Sequence, residues 1–288
     1  MNNLVGIHSI SSNGQGLYIS AGSGYGFSAF PQVINHSGTY YYDNFGNGSQ
    51  IYDNIVGSYS SGINFNAAIG YNFSKQGYNF SKHIVAEIGV SYVSGKIYQV
   101  TDYLYFGNNY SGLIKTDFNL QGKMWRIVPT FKLYSEPSTI TPYLKAGIVF
   151  GVGGIIIMDY VETQSSNPPN GNSLITDASL KFTEGISYGL MAAAGADLFI
   201  SKQFGIYLEL GFTGQTWAPE HSEYTKDNIN GQDQLSTMTV NQKVTNYTNN
   251  LNITYPQDPN QPTIQLKQFN PFSDWGFKLG VKYNFGKQ

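Results

Sequence analysis

The chain has 288 residues and a formal net charge of −2, with 12% charged and 15% aromatic residues. Soluble domains usually carry about 25% charged residues, so this composition is unusual, and the small net charge gives no electrostatic reason to expect nucleic acid as a partner. Cysteine is absent, which excludes disulfides, thiolate nucleophiles and cysteine-bound metals.

Eight stretches alternate large apolar residues with small or polar ones, which is the period of a β-strand with two different faces. In chain order they are residues 16–26, 63–73, 84–93, 125–133, 144–152, 186–200, 204–212 and 277–285. Pro129 falls inside the fourth stretch and predicts a local bulge there, because proline cannot donate to a strand ladder. No stretch has a convincing helical period, so the sequence predicts an all-β chain.

No segment is suited to be a membrane-spanning helix or a signal peptide. The longest apolar run, Gly147 to Met158, is well short of the ~20 residues that a spanning helix needs. The first residues lack the basic and long apolar regions of a signal peptide. We therefore expect that any export signal is absent from this chain.

Short and long connections alternate strictly between the eight stretches. The long connections cover about 30–58, 99–122, 158–180 and 218–272, and within the last one residues 235–255 alternate weakly and favour a hairpin. In an up-and-down arrangement all long loops gather at one end, as in transmembrane barrels with short periplasmic turns and long extracellular loops. The sequence thus predicts one barrel domain, 15–288, after an N-terminal periplasmic segment, 1–14.

Periodicity alone does not separate a soluble barrel of the lipocalin type from a membrane barrel, which is turned inside out. The polar faces separate them better, because a soluble exterior usually carries about 25–35% charged residues. Here those faces are mainly Gly, Ala, Ser and Asn, which suit a crowded interior. We therefore predict an eight-stranded antiparallel up-and-down transmembrane β-barrel whose apolar face meets lipid.

Aromatic residues are placed at both ends of the predicted strands, as expected for two membrane-interface belts. Trp125, Trp217 and Trp275 map to the long-loop rim. Tyr71, Phe73, Phe204, Tyr283 and Phe285 map to the short-turn rim.

Several strand segments resemble a known family. The segments "AEIGVSY", "LELGFT", "TPYLKAGIVFG", "AAAGADLFISKQF" and the closing "GVKYNF" are similar to the small bacterial outer-membrane β-barrel family, which includes the OmpA barrel, OmpX and the opacity-like proteins. The resemblance implies an integral outer-membrane protein of Gram-negative bacteria. It also implies insertion by the β-barrel assembly machinery, with the last strand as signal, and contact with the lipid bilayer and lipopolysaccharide. The sequence departs from the family pattern in two ways. Three residues follow Phe285, whereas the family often ends on its aromatic residue, and the final loop is unusually long.

Eight charged residues fall on the polar faces and are predicted to form an ion-pair network inside the lumen, because an unpaired charge there would be costly. They are Glu87, Arg126, Lys132, Lys145, Asp197, Glu209, Lys278 and Lys282. We interpret this network as structural, filling and stabilising the lumen. A narrow pore for small solutes is the alternative.

An enzyme is disfavoured. His221 has Glu220, Ser222 and Glu223 beside it, and a histidine with a carboxylate can act as a general base, as a lipid-A-modifying barrel enzyme would require. The serine is adjacent in sequence, however, and no catalytic spacing, metal motif or cofactor motif is recognisable. We expect no catalytic, metal-binding or cofactor-binding residues. The predicted role is structural or surface-interacting, with long loops that contact a host surface or other envelope proteins.

Overall fold

The computed structural model is all-β, as predicted. It describes residues 16–30, 32–42, 48–73, 83–106, 112–135, 139–166, 173–251 and 258–285. These ranges contain seventeen strands and one four-residue helix. No helix among the described residues is long and apolar enough to cross a membrane. The predicted segment 1–14 and the first predicted short turn, 74–79, lie outside the described residues, as do 136–138 of the second.

Eight strands contain the eight predicted stretches. They are β1 (Gly16–Ser28), β4 (Gly62–Asn72), β5 (Ile84–Gly95), β7 (Gly112–Tyr134), β8 (Ile140–Ser166), β10 (Ser187–Phe199), β11 (Phe204–Trp217) and β17 (Asp274–Asn284). All their mutual pairings are antiparallel and follow the order β1–β4–β5–β7–β8–β10–β11–β17, and β17 pairs with β1 again. We call these eight strands the ring.

The register within the ring is regular except for one shift between β7 and β8. Strand β7 shifts against β8 between Lys123 and Trp125, but the register is unshifted across Pro129, with Ile127 opposite Phe150 and Thr130 opposite Gly147. The predicted bulge at Pro129 is therefore wrong. A proline removes one donor from the ladder, whereas a bulge needs an extra residue in one strand.

The seventeen strands exceed the predicted eight because the long connections form strands of their own. These are β2 (Gln32–Tyr42), β3 (Gly48–Gly57), β6 (Tyr98–Phe106), β9 (Leu174–Thr183), β12 (His221–Ile229), β13 (Gln232–Asp233), β14 (Val244–Thr248), β15 (Thr263–Leu266) and β16 (Asn270–Pro271). Strands β7 and β8 are 23 and 27 residues long and extend past the ring. Their extensions give the connection strands an edge on which to pair.

Seven of the connection strands and the extensions of β7 and β8 build one sheet beyond the ring, which we call the outer sheet. Its order is β3–β2–β6–β7–β8–β9–β12–β14–β15. The two-residue strands β13 and β16 pair with β12 and β11. Two of its pairings, β2–β6 and β14–β15, are parallel, so its topology is not simply up-and-down. The hairpin predicted for 235–255 does not form within its described part, 235–251, and 252–255 lie outside the described residues. A helical turn, α1 (Val240–Lys243), begins there instead because Thr239 and Gln242 form a capping box.

The two faces of the ring differ in polarity, in the direction that the predicted membrane barrel requires. Large apolar side chains point outward and stay exposed, for example Phe131 and Leu190, each 68% exposed. Charged side chains point inward and are buried, for example Glu87 at 3% and Asp197 at 1%. A lipocalin-type barrel would show the reverse arrangement.

The main apolar core lies where the ring meets the outer sheet. It consists of Tyr59, Tyr98, Val100, Leu120, Met124, Ile156, Trp217 and Phe272, all buried, and we call it the aromatic plug. Two short chain segments bring Tyr59 and Phe272 into it. The Tyr59 amide donates to the Pro271 carbonyl at 2.9 Å, and the Phe272 amide donates to the Gln215 carbonyl at 3.0 Å.

Candidate functional site

The interior of the ring is the candidate site, because the buried ionisable groups of its strands converge there.

Glycines on the inward face make room for tyrosines. A Cβ at Gly70 would lie 2.3 Å from the Tyr18 ring, and one at Gly22 would lie 2.4 Å from the Tyr207 hydroxyl. Both contacts are shorter than real Cβ atoms tolerate, so the interior requires these glycines.

The first ionic group is centred on Glu87, on β5. Its carboxylate lies 2.7 Å from Lys132 Nζ and 2.7 Å from Lys145 Nζ. The Tyr18 hydroxyl donates a third bond to the same carboxylate, at 2.6 Å. Two ammonium groups and one phenol thus satisfy the carboxylate of Glu87, a residue that is only 3% exposed.

Glu209, on β11, extends this group with looser contacts. Lys145 Nζ lies 3.5 Å and Lys278 Nζ 3.3 Å from its carboxylate, and the Tyr143 hydroxyl donates to it at 3.1 Å. Lys145 therefore bridges the two glutamates. Glu87 holds its cations closely, whereas Glu209 is shared among three donors at greater distance.

A second group occupies the end of the ring nearer the short turns. Lys282 Nζ lies 2.8 Å from Asp197 Oδ2, and the Tyr134 hydroxyl donates to the same oxygen at 2.9 Å. The Lys282 ammonium also lies over the Tyr18 ring, 4.1 Å from its centroid, in a cation–π contact. This pair is charge-balanced by itself.

The third group lies toward the outer sheet. Arg126 donates from Nη1 to Asp274 at 2.8 Å, from Nε to the Gln215 side-chain oxygen at 2.8 Å, and from Nη2 to the Phe272 carbonyl at 2.7 Å. Arg126 is 5% exposed. Its guanidinium thus ties β7 to β11 and to the segment that carries the aromatic plug.

All eight charged residues predicted for the lumen point into the ring, and each makes an ion pair. The prediction did not include Asp274, the partner of Arg126, because this residue lies between the predicted loop, 218–272, and the predicted strand, 277–285. The same parity that places Lys278 and Lys282 inward places Asp274 inward too, so this signal was present in the sequence. The interior tyrosines were also missed, although Tyr18, Tyr143 and Tyr207 occupy inward positions by the same rule.

The predicted aromatic belts are partly wrong. Trp217 is fully buried and contacts Phe272 edge-on at 5.9 Å between ring centroids, so it belongs to the aromatic plug. The reason is parity, since Trp217 is eight residues from inward-pointing Glu209 on the same strand. The other belt residues are exposed: Trp125 (50%), Trp275 (46%), Tyr71 (39%), Phe73 (44%), Phe204 (38%), Tyr283 (39%) and Phe285 (52%).

A cavity of about 50 Å³ lies among the first and third groups. Charged side chains of both groups line it, together with amides and hydroxyls from β1, β4, β5 and β11. Room of this size holds a few waters. The aromatic plug covers the interior on the side of the outer sheet, where Trp217 and Phe272 are both 0% exposed.

The His221 environment does not assemble a nucleophile with its base. His221 Nδ1 lies 3.1 Å from the Asn246 amide oxygen, and its Nε2 lies 3.9 Å from Glu223. Ser222, the next residue on β12, is buried and contacts the Tyr247 hydroxyl at 3.0 Å. Neighbouring strand residues point to opposite faces, which separates the serine from the histidine.

Comparison with known proteins gave no assignment. No protein-family model matches the sequence. No curated protein matches it significantly.

Proposed function

We propose that this chain is an eight-stranded antiparallel β-barrel of the bacterial outer membrane, with a side-chain-filled lumen and a structural or surface-interacting role. One observation carries the proposal. The ring exposes its large apolar side chains and buries its charges, and such a surface would aggregate in water but suits hydrocarbon.

The length of the apolar surface supports membrane insertion. On β17 the outward-facing apolar side chains run from Trp275 at one end to Tyr283 at the other. This span of nine residues agrees with the ~9–11 residues that a strand needs to cross a bilayer. Trp125 lies at the same rim as Trp275, and its ring packs 4.8 Å from that of Tyr92. Aromatic side chains at both rims are typical of residues that lie at headgroup depth.

The filled interior supports a structural role rather than a pore. Ion pairs occupy the middle and one end of the ring, and the aromatic plug occupies the other end. A conducting lumen needs a continuous water path, which in larger barrels is polar and open. The placement of His221 and Ser222 on opposite faces also disfavours a hydrolytic enzyme.

The outer sheet supports a role in surface contacts. Tyr41 and Tyr105 stack at 5.1 Å with an interplanar angle of 10°. Among the described residues, strand β3 forms one edge of the sheet and exposes Ile51 (67%) and Tyr52 (55%). Exposed apolar side chains beside an open strand edge suit contacts with another protein. We propose other envelope proteins or a host surface as partners, lipopolysaccharide as the lipid neighbour and the β-barrel assembly machinery during biogenesis.

The membrane proposal is tested by folding and electrophoresis. The urea-unfolded full chain is diluted into lipid vesicles and analysed by electrophoresis with and without boiling. A membrane barrel stays compact in detergent until it is heated, so the unheated sample should migrate differently from the heated one. Folding in buffer without vesicles or detergent into a soluble monomer would contradict the proposal.

The filled-lumen part is tested separately in planar bilayers. The folded protein is expected to give no large, stable single-channel conductance, because the plug and the ion pairs block the path. Stable channels of reproducible size would instead favour the narrow pore. This outcome would leave the barrel assignment intact, so the two parts of the proposal fail independently.

A further inference from the structure

The wall of the interior cavity has an excess of positive charge. Seven charged side chains line it: the cations Arg126, Lys132, Lys145 and Lys278, and the anions Glu87, Glu209 and Asp274. Four cations face three anions. The Lys282–Asp197 pair nearer the short turns is balanced and does not change this difference. Burying an uncompensated charge is costly, so the cavity favours one more negative charge.

Lys278 is the least satisfied of the four cations. Lys132 and Lys145 each lie 2.7 Å from Glu87, and Arg126 lies 2.8 Å from Asp274. The Lys278 ammonium lies 3.3 Å from Glu209, a carboxylate that it shares with Lys145. Its side chain is 23% exposed, against 6% for Lys132. An ammonium has three donors, so Lys278 has capacity left for a ligand in the cavity.

The neutral part of the cavity wall is also suited to an anion. It includes hydroxyls and amides that can turn a proton toward the cavity, namely Ser20, Ser91, Thr213, Asn64 and Asn66. The volume of about 50 Å³ admits a small ion with one or two waters, but not a bulky organic acid. A single negative charge cancels the excess, whereas a divalent anion would reverse it.

We propose that this cavity binds one small monovalent anion of the halide class, held by the Lys278 ammonium against the surrounding hydroxyls and amides. Chloride is the halide that ordinary media supply. The site depends on the interior of the ring and goes beyond the proposed function, since it does not require any partner of the outer sheet. Loss of a proton from one lysine would also remove the excess positive charge. In that case the cavity would bind no anion.

Bromide serves as the probe because it can be counted and located. The full chain is refolded in detergent with sodium bromide and transferred to sodium gluconate, whose anion is too large for the cavity. Bound bromide is then measured by elemental mass spectrometry. We expect about one bromide per folded chain, the number that cancels one charge, and none on the urea-unfolded chain. Anomalous diffraction from crystals grown in bromide should show the ion beside Lys278.

Two variants test the assignment. Lys278→Met removes the excess charge, and Asn66→Asp supplies a resident carboxylate while keeping Lys278, so both should lose the bound bromide. The matched control is Lys202→Met, which removes an exposed lysine at the turn between β10 and β11 and should retain it. Folded wild-type protein without bromide, in both solution and crystal, would overturn the proposal. Bromide that persists in a folded Asn66→Asp or Lys278→Met variant would do so as well.

Discussion

Lys132 Nζ lies 2.7 Å from Glu87 Oε2 across the β5–β7 pair, and the two side chains are 6% and 1% exposed. Such a pair is weak evidence for net stability, because desolvation offsets much of the attraction. Removal of one partner is a different matter, since it leaves a buried charge less compensated. The pair is thus a sensitive probe of how strongly the interior screens its charges.

The first prediction concerns this pair. Lys132→Met should lower the free energy of unfolding, by up to about 3–5 kcal/mol if the interior is dry, because Glu87 keeps Lys145 but loses a close cation. The free energy is measured by urea titration of the protein folded in vesicles, followed by tryptophan fluorescence. Adding Glu87→Gln to Lys132→Met should recover part of the loss. Lys202→Met, at an exposed turn, is the control and should change little.

Much of the ring could be predicted from the sequence, because a period of two is a local property. The alternation around Lys278 and Lys282 correctly placed both side chains inside. Asp274 shows the limit of the predicted strand boundary rather than of the alternation rule, since β17 begins at Asp274 whereas the predicted strand began at Phe277. Trp217 was misplaced although its distance from Glu209 fixes its face.

The outer sheet could not be predicted in the same way, because its pairings join distant segments of the chain. Tyr41 stacks on Tyr105 through a parallel β2–β6 pairing that no local pattern indicates. The strands lack a fully apolar face, so their alternation is weak. Their order depends on the extended edges of β7 and β8, whose length beyond the ring depends on tertiary contacts.

The second prediction separates the three tryptophans by depth and direction. Single-tryptophan variants are made by replacing the other two with Phe and are folded into vesicles of lipids brominated on the acyl chains near the headgroups. Trp125 and Trp275 point outward at the rim, so brominated lipid should quench their fluorescence strongly. Trp217 is 0% exposed inside the plug and should be quenched far less.

The three single-tryptophan variants serve as controls for one another, because they share one fold and one lipid. Equal quenching of Trp217 and Trp125 would contradict the inward placement of Trp217. Absence of quenching at both Trp125 and Trp275 would contradict the membrane assignment itself.

The third prediction concerns the cost of charge on the outward face. Leu279 is central in β17 and 56% exposed. Leu279→Arg should lower the free energy of unfolding in vesicles by about 2–4 kcal/mol, the cost found for arginine near the bilayer midplane. The free energy is again obtained from urea titration.

Leu266→Arg is the control for this substitution. Leu266 is 50% exposed, on β15 of the outer sheet, so it has similar exposure but lies outside the ring. An arginine there should change the free energy of unfolding by less than about 1 kcal/mol. If both variants lose little, the outward face of the ring meets water and the proposed location is wrong.

The last prediction concerns pH and the outer sheet. Burial, with a further contribution from Asp233, raises the pKa of Asp227 above its ordinary value. The folded state therefore binds the proton more tightly than the unfolded state, so stability falls as pH rises from the ordinary pKa through the raised one. Local protection of β12 against hydrogen exchange should then be greater near pH 4 than at pH 7.

Asp227→Asn should remove this dependence and increase the protection of β12 at pH 7, because the carboxylate no longer has to be buried in its charged form. Asp233→Asn should act in the same direction but more weakly, since it removes the smaller cause and leaves burial in place. Asp159→Asn, on the exposed side of β8, is the control and should leave the pH profile unchanged. Protection that rises with pH in the wild-type protein, or an unaltered profile in Asp227→Asn, would show that Asp227 does not control the stability of this edge of the sheet.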